Sequence, residues 1–230
     1  MQGRMLAIAA LLAGCGGGDG AATPDAPSGP EPIEPPPAPA VCSPVAVYLH
    51  TGGGTFLPSA AGDARDNTSS LLAAPVTFAA VDATRAATLA TRLATALDFY
   101  HVPLATQRPN DDTFHFMLVL ASDGIAAAFP DRAVAAPRKC FPQYNTIAFV
   151  DAAGATADDV VVARALAATG QLLGLESTTR TGDCMNEDRL VAGCNFGYDA
   201  PVANSCGKGA IQDEANGLAG SLGCKPPPGK

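Results

Sequence analysis

Apolar positions follow two regular patterns between residue 41 and Gly174, and regularity is lost beyond it. Four short runs rich in β-branched and aromatic residues predict strands: VAVYLH (45–50), PVTFAAV (75–81), TFHFMLVLA (113–121) and NTIAFVD (145–151). The third is apolar at successive positions, so both faces must be buried, as in a central strand. Leu89, Leu93, Leu97 and Tyr100 recur at helical spacing and predict an amphipathic helix over 83–100, with Asp82 as its N-cap. A second helix carries Val160, Val161, Leu166, Leu172 and Leu173. Thr156 and Asp159 have the spacing of a capping box at its start, and Gly174 suits a left-handed C-cap at its end.

Between the first two strands lies TGGGTF (51–56), whose glycines predict a turn or a close backbone approach. No Gly-Lys-Ser/Thr follows, so it is not a phosphate loop. After Gly174 the chain is rich in Gly, Asn and Cys with little periodicity. A loop-built C-terminal subdomain over 178–230 is expected, tied by disulfides and following an N-terminal subdomain over 41–177. The fold class is α/β, in the α+β sense: a mixed, twisted sheet with two main helices.

The N-terminus predicts export. Residues 1–4 carry a short positive region, and residues 5–13 are apolar but too few to span a bilayer as a helix. LAGC (12–15) then resembles the lipobox of bacterial lipoproteins. The expectation is a signal peptide over 1–14 and a lipidated Cys15, with the membrane as partner. Several acyl chains would anchor it stably, since each buried CH₂ contributes about 0.8 kcal/mol. Residues 15–40 read as a tether, glycine-rich and then proline-rich, able to reach roughly 70 Å at about 3.1 Å per residue. The expected location is the cell envelope, at the outer membrane or cell surface. A formal net charge of -8 argues against nucleic acid as a partner.

Setting Cys15 aside leaves Cys42, Cys140, Cys184, Cys194, Cys206 and Cys224. An even number in an oxidising compartment predicts disulfides, though six cysteines allow about 15 connectivities. No C-x-x-C spacing is present, which disfavours a zinc ribbon.

The most informative stretch is AATGQLLGLES (167–177), followed by DCMN (183–186). A zinc-protease helix places two histidines four residues apart on one face, so that both reach the metal, and a glutamate beside the first acts as general base. A glycine then breaks the helix, the chain returns a third histidine, and a methionine turn follows. AATGQLLGLES resembles the corresponding helix of matrixin-like metzincins. Gly170, Leu172, Leu173, Gly174, Leu175 and Glu176 match its non-ligand positions, and Met185 resembles the methionine turn. The order of strand, long helix, strands and second helix is similar to that family.

The departures bear on chemistry. Ala167 and Gln171 stand at the first two ligand positions, Ser177 at the third, and Ala168 at the general base. Neutral Gln and Ser are poor zinc ligands and Ala is none. Without zinc, bound water is not brought toward pKa ~7. The resemblance therefore implies no metal, no cofactor and no catalytic residue. Its expectation is a pseudoenzyme whose vestigial cleft binds a protein or peptide, or which serves as an envelope scaffold. Two alternatives stay open: a zinc peptidase with ligands outside the motif, and an unrelated adhesin or structural lipoprotein. Other features carry less. The histidines His50, His101 and His115 lie upstream of the helix, and AGSLG (219–223) only loosely resembles a nucleophile elbow around Ser221.

Overall fold

The computed structural model describes residues 47–110, 116–186, 189–197, 200–202, 206, 209, 211–214 and 217–218. The expected signal peptide and tether, with Cys15, Cys42, Cys224, His115 and Ser221, lie outside the described residues.

Two packed faces of one sheet organise the rest. The central strand β6 (Phe116–Ala121) is buried at every position. Phe116, Leu118 and Leu120 enter one core, while Met117, Val119 and Ala121 enter the other. Such alternation follows from the two-residue period of a strand. β6 pairs in parallel with β1 (Val47–His50) on one side and β8 (Ile147–Asp151) on the other. β5 (Leu104–Ala105) extends the sheet in parallel beyond β1. β7 (Val134–Ala135) is antiparallel to β8 and forms the opposite edge of this five-stranded sheet.

Helix α1 (Ala83–Asp98) and helix α2 (Asp158–Leu172) pack against the Phe116/Leu118/Leu120 face. Asp82 caps α1, its side chain accepting the backbone N–H groups of Thr84 and Arg85. Leu89, Leu93 and Leu97 are its buried stripe. The helix stops at Asp98 rather than Tyr100, because the Tyr100 N–H bonds the Leu97 carbonyl in a tighter turn and His101 takes a left-handed φ of 56°. Tyr100 is still buried, as its helical spacing predicted.

On the other face, β2 (Gly54–Pro58), β3 (Thr68–Ser69) and β4 (Val76–Phe78) form a small three-stranded sheet. Gly53 makes the close approach expected of the glycine run: with φ at 66°, an added Cβ would sit 2.6 Å from the Ala80 nitrogen. From Gly54 onward the run is strand, Phe56 being fully buried and paired with Val76. Phe149 anchors this core, with ring centroids 5.3 to 5.5 Å from Phe78, Phe129 and Phe56.

The capping box expected at α2 does not form. Ala157 is the N-cap and offers no side-chain bond. The helix starts one residue later than the box requires, so Thr156 lies outside the cap and its carbonyl accepts from Arg85. Asp158 pairs with Arg85 at 2.8 Å and Asp159 with Arg92. Arg85 also donates to the carbonyls of Ala152, Ala153 and Thr156, fixing the β8–α2 loop. The two acids still lie in the first turn, where the helix dipole favours them.

Leu118→Ala should lower the unfolding free energy by about 2–5 kcal/mol, the usual range for emptying a fully buried leucine site. Leu57→Ala, at a position 47% exposed, should change it by less than about 0.5 kcal/mol in the same denaturant titration.

Candidate functional site

The motif-bearing stretch occupies the last two turns of α2 and the loop after it. The helix ends in a Schellman arrangement. The Leu175 N–H bonds the Gly170 carbonyl at 2.9 Å, and the Gly174 N–H bonds the Gln171 carbonyl at 3.0 Å. Gly174 has φ of 86°, and an added Cβ would lie 2.6 Å from the Phe141 carbonyl carbon. Two constraints therefore require glycine there: the left-handed backbone and the chain crossing against it.

Met185 is fully buried beneath this helix. At Gly170 a Cβ would lie 2.4 Å from the Met185 sulfur and 3.0 Å from the Phe196 ring. The turn holding Met185 is fixed from several directions. Asp183 Oδ1 accepts the Met185 N–H at 2.7 Å, and the Met185 carbonyl accepts the Thr178 N–H at 3.0 Å. Cys184 and Cys194 are bonded to each other across the loop. Phe196 is held by Tyr100, whose hydroxyl accepts the Phe196 N–H at 3.0 Å and donates to its carbonyl.

The remaining motif positions separate by environment. Ala167 is buried along a cleft of about 770 Å³, where Val160 and Arg164 of α2 face Ala133 and Val134 at the β7 edge. Ala168 lies in the core between helices and sheet instead. Gln171 is buried one turn after Ala167, and Ser177 is half-buried in the loop past Gly174. Glu176 is structural: its carboxylate accepts the Cys206 N–H at 3.1 Å, and its backbone bonds the Gln212 side chain in both directions. Cys206 in turn is bonded to Cys140, so the expected disulfide tie is present for Cys140–Cys206 and Cys184–Cys194.

Zinc does not fit these residues. Ala167, Gln171 and Ser177 offer one amide and one hydroxyl where a metal needs imidazole, thiolate or carboxylate. Among the described residues, no group of three His, Cys, Asp or Glu is placed to hold a metal ion. His50 is engaged elsewhere, donating from Nε2 to the Gly53 carbonyl at 2.7 Å and accepting the Tyr48 hydroxyl at Nδ1.

A buried pair of acids escaped the sequence reading. Glu214 is fully buried, and its carboxylate accepts from the Gly197 N–H and the Gln212 amide. It faces Asp183, whose Oδ2 is buried without a donor. Two neighbouring carboxyls withdrawn from water disfavour a second negative charge. Burial and the Asp183 charge push the Glu214 pKa up to about 8, and burial raises Asp183 as well. The Asp at the head of DCMN, two residues before an N–H that it caps, was the available signal. Nothing local marks its partner 31 positions downstream.

Comparison with known protein families matches no family model, and comparison with curated proteins returns no match. Among the described residues, no helix is long and apolar enough to cross a membrane.

Two outcomes follow from this geometry. Gly174→Ala should destabilise more than Gly170→Ala, because it meets backbone at Phe141 whereas Gly170→Ala meets a side chain that can turn. Combining Gly170→Ala with Met185→Ala should cost less than the sum of the single changes in a double-mutant cycle. The acid pair should also make stability fall with rising pH. Its raised pKa means that the folded state keeps a proton the unfolded chain has lost. The contribution is full below about 4.5, the ordinary value for a glutamate, and is lost as pH rises through about 8. Thermal melts from pH 5 to 9 should show this decline, and Glu214→Gln should flatten it.

Proposed function

We propose that this chain is the non-catalytic, metallopeptidase-like domain of an exported, membrane-anchored lipoprotein, and that it acts by binding in a vestigial cleft. The observation that carries this reading is the relation of three motif positions. Ala167 lines the cleft, Gly170 lies against the buried Met185, and Gly174 breaks the helix where the Phe141 backbone crosses it. Gly170, Gly174 and Met185 match framework positions of the resemblance to metzincins, while the ligand and base positions hold Ala, Ala, Gln and Ser.

The mixed sheet, the two helices on one face and the disulfide-tied loops after α2 support the same reading. The cleft beside Ala167 lies between the helix and a sheet edge, a place where an extended segment gains main-chain partners. The Gly- and Pro-rich stretch after the lipobox fits a domain held away from a membrane on a tether. Scaffolding would need no such cleft, so binding is preferred.

The test restores the ligands. Ala167→His, Gln171→His and Ser177→His together should give a protein that binds one zinc after dialysis, measured by elemental analysis, while the parent chain binds none. Ala168 stays unchanged because it lies in the core, where a glutamate would be desolvated. Stoichiometric zinc in the parent chain would reject the non-catalytic reading. A folded triple variant without zinc would reject the proposed register.

A further inference from the structure

The cleft beside Ala167 has an unusual lining for an acidic protein. The chain has 14 Lys and Arg against 22 Asp and Glu, yet Arg132, Arg138, Arg164 and Arg189 all border this one cavity. Asp131 is the one acid among its described lining residues. The arginines come from separate places: two from the segments flanking β7, one from α2 and one from the loop after the Met185 turn. Their convergence is therefore a product of the fold rather than of a basic run in the sequence.

Their guanidinium groups are available in different degrees. Arg132 and Arg189 are exposed and make no ion pair with a described residue. Arg164 is positioned: its Nη1 donates to the Asp151 carbonyl at 2.9 Å and to the Asp151 carboxylate at 3.0 Å. The opposite Nε–Nη2 edge carries no hydrogen bond to a described residue. A planar donor fork held this way suits a carboxylate, which it can meet with two parallel bonds. Between the arginines the wall is apolar, from Val134, Val160, Ala167 and Leu190.

We infer that the cleft binds an extended peptide segment bearing acidic side chains, the carboxylates meeting Arg132, Arg164 and Arg189 and the apolar side chains between them covering Val134, Val160 and Leu190. This inference rests on the binding reading above and specifies its ligand. Charge complementarity selects the occupant, and about 770 Å³ lies within the usual range of ligand-binding clefts. Attraction across a cleft of one sign also raises association rates at low salt.

The experiment uses the full-length chain with its disulfides intact. Three fluorescent pools of degenerate heptapeptides are titrated by anisotropy. They differ only in two fixed central residues, both Glu, both Gln or both Lys. The Glu pool should bind about tenfold or more tighter than the Gln pool at low salt, and the margin should shrink as salt rises. Arg132→Ala with Arg189→Ala should bring the two pools to parity while leaving the melting temperature unchanged, since both side chains are exposed. Equal binding of all three pools would overturn the acidic preference and leave the cleft reading standing. A preference for the Lys pool would do the same. Absence of binding by every pool would overturn both.

Discussion

The contact between Gly170 and Met185 is the constraint on which the second half of this molecule depends. α2 carries no side chain at that point, so the methionine sulfur and the Phe196 ring approach the helix closely. Everything around the contact serves to keep the Met185 turn in place. Asp183 caps it, the Cys184–Cys194 bond closes it, and Tyr100 fastens Phe196 to the end of α1. Among the described residues, the loops after α2 hold no long helix or strand, so their shape depends on turn hydrogen bonds, this buried anchor and the disulfides. Closing a loop of 10 residues contributes about 2.7 kcal/mol in the chain-entropy picture, and one of 66 about 4.3 kcal/mol.

Electrostatics divides the molecule into regions of opposite character. The junction of α1 and α2 is held by arginine–aspartate pairs that replace the local capping expected there. Arg85, with an ion pair and three carbonyl contacts, belongs to the architecture. Arg132 and Arg189, exposed at the cleft, belong to its surface. Beneath the Met185 turn, Asp183 and Glu214 sit in a site with too little solvent for two charges. Desolvation outweighs their backbone donors, so both carboxyls are held above the usual carboxylate range, and Glu214 joins the C-terminal segment to Gly197 through that residue's N–H. This pair and the Glu176–Gln212 bonds hold a region with little periodic sequence.

Much of the sheet and both helices were legible because periodicity reports burial directly. β6 read as central from its unbroken apolar run, and it lies between β1 and β8 with both faces packed. The stripe at Leu89, Leu93 and Leu97 gave α1, and Gly174 gave the end of α2. The short strands β3, β5, β7, β9 (Ala200–Pro201) and β10 (Ile211–Gln212) were not legible. Two residues carry no period, and such strands exist only because a partner strand lies beside them. The capping box at Thr156 failed because the helix starts one residue later, with Ala157 at the cap.

The sequence by itself determined the alternation that builds the sheet, the helical faces, the glycine stop and the absence of metal-binding side chains at Ala167, Gln171 and Ser177. These are properties of residue type and spacing along one chain. Only the tertiary structure decided that Ala167 borders a cleft while its neighbour Ala168 enters the core, and that Asp183 meets Glu214. It likewise decided which described cysteines pair and that four scattered arginines surround one cavity. Each of these depends on contacts between residues far apart in sequence, and long-range contact is set by packing, which no local pattern encodes.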